Sequence, residues 1–293
     1  MHEKGEECHR GAYVKTVNVQ SLSDKAKNYA RKNNCSPQQA MQYFAFERFL
    51  ERLSVSGYRD NFILKGGLLL SSIMGIDLRT TMDIDANITG MDFGQDEIAK
   101  MISEITKIDL HDNVTYEFDT IEPIKEDSEY GGYSVRLTTK FFNVRIPLHL
   151  DISTGDIITP SAVDYRYKTV FDEGTIDLLS YNYETIIAEK LQTVLKRNVL
   201  NSRMKDLYDL YFFMKYKKDD LDREVFKHAV ENTFSHRDSL NELNALTVIL
   251  ERIRIDETQQ KFWGNYRHRF SYAKDISLDE IINEISAIKN MIV

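Results

Sequence analysis

Hydrophobic positions change their period twice along the chain. Between Gln38 and Leu53 they fall at Met41, Phe44, Phe46, Phe49, Leu50 and Leu53. That spacing, roughly three to four, predicts an amphipathic helix packed on an apolar surface. Ser36 is placed to cap it, Pro37 suits its first position, and Gly57 closes it. An earlier helix is predicted from Ser21, where a serine cap precedes helix formers, up to the break at Cys35-Ser36-Pro37. Residues 1–18 are polar and are expected to be poorly ordered or loosely docked.

Beyond residue 60 the period shortens. Asn61 to Leu64 is a short apolar stretch, a strand or the lead-in to a helix. LLLSSIMG predicts a helix ending at Gly75. From Thr81 to Ile88 the side chains alternate: Met82, Ile84 and Ala86 point one way, and Thr81, Asp83, Asp85 and Asn87 the other. This is a strand with one buried face and one carboxylate-lined face. A helix over Phe93 to Ile108 follows. Then VTYEFDTIEPI, YGGYSVRLTTKFF and VRIPLHLDISTG predict three more strands, with a turn or bulge at Tyr130 to Tyr133 and a hairpin at Asn143.

The helical period returns near Asn182. YETIIAEKLQTVLKR, SRMKDLYDLYFFMKY, LDREVFKHAVENTFSHR, SLNELNALTVILERIR and LDEIINEISAIKNMIV each predict a helix. The expected fold is therefore α+β. Residues 1–180 hold N-terminal helices and a mixed sheet flanked by helices, and residues 181–293 form a C-terminal helical domain.

Bulk properties narrow the function. A net charge of -8 argues against coating nucleic acid by bulk charge. It leaves room for a local basic groove, and Lys196, Arg197, Arg203, Lys205, Lys215, Lys217 and Lys218 are partly clustered. Tyr208, Tyr211 and Tyr216 beside these lysines line such a groove or simply form core and solvated face; Trp263 in KFWGNYRHRF poses the same choice. Cys8 and Cys35 are too few for a disulfide scaffold and lack metal-ligand spacing. The N-terminus lacks a signal-peptide core, and no apolar run approaches the ~20 residues of a spanning helix. A cytoplasmic, monomeric protein without membrane contact is expected. No GxxxxGK loop, HExxH or GxSxG is present.

One stretch, Phe62 to Asp85, carries glycines, a basic residue and paired carboxylates in the order that phosphate and metal chemistry needs. Gly66 and Gly67 let backbone N–H groups approach a triphosphate, a helix N-terminus follows, and Lys65 adjoins them. Asp83 and Asp85 project from the same strand face about 7 Å apart. They can converge on Mg²⁺ or Mn²⁺, since hard cations take oxygen ligands. A third carboxylate is needed from a neighbouring strand, and Asp151, at the end of LHLDI, is the best candidate. His149 shares its face. Taken singly, each of these is also an ordinary turn or a solvated strand edge.

KGGLLL, RTTMDID, LHLDIS, EKLQTVLKR and RMKDLYDLYFF, in that order, resemble the AbiEii/AbiGii toxin family of nucleotidyltransferases, within the DNA polymerase β-like superfamily. The resemblance spans roughly residues 40–215. Arg79, Thr81, Asp83 and Asp85 match the family's Arg-x-Thr-x-Asp-h-Asp strand position for position. The turn is the Gly-Gly form, so a role the family gives to serine there has no carrier. The resemblance implies a polymerase β-like core and a toxin of an abortive-infection, phage-defence toxin–antitoxin pair. It implies NTP as substrate and an RNA acceptor, with tRNA 3′ ends the acceptor of related enzymes. It also implies roles for residues: Gly66 and Gly67 at the triphosphate, Asp83 and Asp85 at the metal, Asp151 as third carboxylate, Lys190 at the nucleotide phosphates, and Asp206 or Asp209 as a further essential acid.

The residues themselves speak more softly about the helical half. Lys190 sits at the edge of the stripe Ile186, Ile187, Leu191 and Val194, able to reach a phosphate as a point charge or to lie on a solvated face. Asp206 and Asp209 share one helix side, to orient Lys190 or Arg203 or to pair in solvent. Arg79 is a phosphate contact or a structural partner of an aspartate. Two other functions stay open: the same fold acting on a protein or small molecule, and a nucleotide-binding regulator without turnover. A cognate antitoxin is expected, though direct contact with it is not implied.

Overall fold

The computed structural model describes residues 19–124, 131–171 and 174–292. The expected behaviour of residues 1–18, with Cys8, and of Tyr130 lies outside them. Two helices open the described chain, α1 (Val19–Lys32) and α2 (Pro37–Ser54). Ser36 caps α2 as anticipated: its side chain accepts from the Gln39 N–H, and the Gln39 side chain accepts in return from the Ser36 N–H.

The strands are β1 (Phe62–Lys65), β2 (Asp83–Ile88), β3 (Val114–Pro123), β4 (Gly132–Phe141), β5 (Val144–Thr154), β6 (Val163–Lys168) and β7 (Thr175–Ser180). Between them lie α3 (Gly66–Met74) and α4 (Gln95–Thr106). They form one mixed sheet in the order β3-β4-β5-β2-β1-β7-β6. β2 lies parallel to β5 and antiparallel to β1, which is itself parallel to β7. Asn61 to Leu64 thus resolves as strand.

Three expectations need correction. The strand predicted from Thr81 starts at Asp83, because Thr81 and Met82 still belong to the connection from α3; Met82, expected to be buried, is exposed. The helix predicted from Phe93 starts at Gln95, after Gly94. And β6 and β7 were not anticipated. TIDLLS does alternate, with Ile176 and Leu178 buried and Asp177 exposed. But it is short and runs straight into helical periodicity.

The helical half follows as α5 (Tyr183–Arg197), α6 (Met204–Tyr216), α7 (Arg223–His236), α8 (Leu240–Asn244), α9 (Leu246–Ile255), α10 (Glu257–Arg269), α11 (Leu278–Ser286) and α12 (Lys289–Ile292). Asn182 caps α5 by accepting from the Thr185 N–H. Two segments predicted as single helices are each divided, at Ala245 and at Ala287–Ile288. A continuous apolar cluster joins both halves, from Tyr43 on α2 through the sheet to Leu191, Leu207 and Met291. Tyr208 and Tyr211 are buried in it while Tyr216 is exposed, and Trp263 is buried with its Nε1–H donated to the Ile276 carbonyl. Tyr208, Tyr211 and Trp263 are thus packing groups. None of the described helices is long and apolar enough to cross a membrane.

Candidate active site

The strand register builds the site. Asp85 stands opposite Lys65 on β1 and opposite Asp151 on β5, and Asp83 stands opposite His149. Residues in register share a sheet face, so Asp83, Asp85, His149, Asp151 and Lys65 lie together on one side. The third carboxylate chosen from the β5 sequence is therefore the direct cross-strand neighbour of Asp85. His149 Nδ1 lies 3.5 Å from Asp83 Oδ1, both side chains nearly half exposed.

The glycines are needed for a reason the sequence did not show. Gly66 has φ +60°, a left-handed conformation, and a Cβ there would fall 2.1 Å from Asp85 Oδ2. A Cβ on Gly67 would fall 2.5 Å from Thr81 Oγ1. The first turn of α3 thus lies directly against the carboxylate strand. The Gly67 N–H donates to Asp85 Oδ2 at 2.8 Å, so Asp85 caps the positive end of α3. An amide expected to face a triphosphate is committed to the aspartate.

Asp83 is the uncompensated member. Burial raises its pKa first, and the Asp85 and Asp151 charges raise it further, outweighing His149 and Lys205. Three carboxylates along one edge are an oxygen donor set of the kind divalent cations take. The set is not yet a cage: among the described residues no three His, Cys, Asp or Glu side chains stand close enough to enclose an ion.

The helical half delivers a second group. Lys190 Nζ on α5 lies 2.8 Å from Asp206 Oδ1 and 2.8 Å from Asp209 Oδ2, both on α6. Arg79, from the α3–β2 connection, donates Nε–H to Asp209 Oδ1 at 2.9 Å and an NH1 proton to the Thr80 carbonyl at 2.6 Å. The Asp209 side chain is 0% exposed. Burial alone would raise its pKa, but the Arg79 and Lys190 charges prevail and hold it below the usual range. Burial likewise opposes the charge on Lys190, and Asp206 and Asp209 reverse that, raising its pKa. Of the alternatives left by the sequence, Arg79 is the structural partner of an aspartate, and Asp206 and Asp209 hold Lys190 in the interior. An ammonium has three donors; these two contacts leave one for another acceptor.

Lys65 has partners the sequence did not show: its Nζ donates to Asp156 Oδ2 at 2.5 Å and to Ser153 Oγ at 2.7 Å. Asp156 lies just past β5 and has no periodic signature. Nor does Arg237, which joins Asp156 to Glu189 of α5. Both were missed because loop and helix-end positions carry no spacing rule.

Comparison with known proteins settles the class. A sequence model of the family described as nucleotidyl transferase AbiEii toxin, type IV toxin–antitoxin system, matches residues 48–284. The chain belongs to this family. As an AbiEii member it is a nucleotidyltransferase toxin. Among solved structures it is similar to MenT4, a nucleotidyltransferase toxin from Mycobacterium tuberculosis, at 14% identity and TM-score 0.50, covering 94% of this chain and 98% of that one. It is also similar to JHP933 from Helicobacter pylori, at 18% identity and TM-score 0.46, covering 88% and 92%. At such identities MenT4 bears on the fold alone, the mixed sheet with helices C-terminal to it. No curated protein matches significantly.

Proposed function

We propose that this AbiEii nucleotidyltransferase transfers a nucleotide from an NTP to a hydroxyl of an RNA acceptor, the 3′ end of tRNA, and thereby blocks translation in the cytoplasm. The observation that carries the proposal is the cross-strand edge of Asp83, Asp85 and Asp151 beside the capped start of α3. Asp83, Asp85 and Asp151 are the oxygen donors that would hold a divalent cation, Mg²⁺ or Mn²⁺, once drawn together around it. When bound it would supply charge stabilisation to the triphosphate and lower the pKa of the attacking hydroxyl.

The chain's own residues do the rest. Asp151 accepts the proton of the acceptor hydroxyl as its oxygen bonds to the α-phosphorus and the bond to pyrophosphate breaks. Lys190, with its remaining donor, neutralises charge on the phosphates. Asp206 and Asp209 hold it ready, so little reorganisation is needed when the substrate arrives. A cognate antitoxin would restrain the enzyme in the cell.

Incubation of the purified protein with total tRNA and each of four labelled NTPs, with Mg²⁺ or with chelator, tests this. Metal-dependent label on tRNA is expected. Asp83→Ala should lower incorporation at least about a thousandfold, the several kcal/mol that metal charge stabilisation supplies. Label on protein or a small molecule instead would replace the acceptor. Tight NTP binding without pyrophosphate release would make the protein a regulator, and full activity in Asp83→Ala would overturn the site.

A further inference from the structure

Helix α5 is gripped at two consecutive residues from two directions. Lys190 is held by α6, as described. Glu189 Oε1, one residue earlier, accepts from Arg237 NH2 at 2.9 Å. The same nitrogen donates to Asp156 Oδ1 at 3.0 Å, and NH1 of Arg237 donates to Gln192 Oε1, also on α5, at 3.2 Å. Asp156 further accepts from Lys65 Nζ, from Ser153 Oγ at 3.2 Å and from Tyr181 OH at 3.4 Å. The cluster contains two cations and two carboxylates, all largely buried.

Such a cluster is a poor stabiliser for its size, because desolvation offsets most of the attraction. What it supplies is direction. A guanidinium is a rigid planar fork, and it fixes the separation of the groups it bridges. Here it bridges the end of β5, the strand that carries Asp151, to the turn of α5 that carries Lys190. Burial drives Glu189 toward its neutral form, and the Lys65 and Arg237 charges oppose this. Burial acts on Asp156 in the same sense, but Lys65 and Arg237 prevail and keep it ionised. Successive helix residues project about 100° apart, so fixing Glu189 fixes the azimuth of Lys190.

We propose that Arg237 and Asp156 are positioning residues: by anchoring Glu189 to the end of β5 they set the rotation of α5, and so place the Lys190 ammonium against the Asp83–Asp85–Asp151 edge. This rests on the reading that Lys190 meets the phosphates of a bound NTP.

The test compares NTP affinity by titration calorimetry with Mg²⁺ in the full-length protein and its variants, alongside thermal midpoints and transfer to tRNA. Arg237→Met should weaken NTP binding about tenfold or more, since small misplacements of a charged group are costly. Arg237→Lys, which keeps the charge on a shorter and less rigid stem, should recover part of it and guards against a folding failure in the methionine variant. Glu189→Gln should weaken binding in the wild-type background but add little to Arg237→Met, because both break one contact. The decisive arm is Lys190→Met, on which Arg237→Met should have no further effect on affinity. An undiminished effect there means that Arg237 acts elsewhere, and the proposal falls. It also falls if Arg237→Met binds NTP as the wild type does. A wild-type protein that binds NTP with the expected variant pattern yet transfers nothing overturns the transferase reading of the site and keeps the positioning role. One that binds no NTP overturns both.

Discussion

Asp83 and Asp209 are the same residue type with opposite electrostatic surroundings. Asp83 is 45% exposed and faces two further carboxylates; Asp209 is 0% exposed and faces two cations. The half-exposed acid is the uncompensated one, and the acid in the interior is fully paired. A buried charge survives only when paired, whereas an exposed edge can hold an excess. The contrast separates the part of the site that has room for an incoming cation from the part that is already satisfied and serves to aim Lys190. It also predicts that the two aspartates respond oppositely to removal.

The largest effect on stability should come from Asp209→Ala. It leaves Arg79 without its carboxylate and Lys190 with only Asp206, both in the interior. Breaking a buried pair from one side costs about 3–5 kcal/mol, to be read from urea unfolding. Asp83→Ala, at a half-exposed and repelled position, should fall within about 0.5 kcal/mol of the wild type. If the two variants unfold alike, the contrast between paired interior and unpaired edge is wrong.

Gly66→Ala probes how the edge is built. The substitution forces alanine into a left-handed conformation, worth about 1–2 kcal/mol, and drives its Cβ into Asp85. Gly131 supplies the control: its φ is +71° and a Cβ there meets nothing within 4 Å. Gly131→Ala should carry a similar backbone cost with little loss of nucleotide transfer, whereas Gly66→Ala should lose transfer by displacing Asp85. Equal transfer in the two variants would mean that the close approach of α3 to β2 has no catalytic consequence.

The sequence exposed this edge because a period of two is a local property. Asp83 and Asp85 share a face by spacing alone; Asp151 sits in an alternating run of its own, and the fold adds the pairing that sets β5 beside β2. The resemblance added Lys190, Asp206 and Asp209, which spacing left equally consistent with a solvated helix face. No rule of spacing could join Arg79 to Asp209, since the two are 130 residues apart. The same holds for Asp156 and Arg237, 81 residues apart. Long-range ion pairs depend on how helices pack on the sheet, and that is decided by the apolar cluster as a whole. β6 and β7 failed for a different reason: β6 buries only Tyr167 and so shows no apolar alternation, and β7 runs straight into the helical period of α5.

The smallest effect gives the sharpest sign. The pKa of Asp83 is raised in the folded chain, so the fold holds its proton more tightly than the unfolded chain does. Its contribution to stability is present below the unfolded value of about 3.9 and is lost as pH rises through the folded value. At neutral pH without a cation, the ionised group is a mild liability. Asp83→Asn removes the charge and keeps the shape. In chelator at pH 7 it should melt about 1 °C above the wild type, a small shift because water screens a half-exposed group. The gap should close as pH falls and the wild-type carboxylate takes up its proton. Mg²⁺ should then raise the midpoint of the wild type more than that of Asp83→Asn, since binding to the folded state alone stabilises it. Asp209→Asn must do the reverse, because the pKa of Asp209 is lowered. Its contribution is present above the unfolded value and lost as pH falls through the folded one, so the asparagine variant should be less stable at pH 7. An Asp83→Asn protein that melts below the wild type in chelator would show that Asp83 is already compensated. The carboxylate edge would then have no excess charge for a cation to relieve.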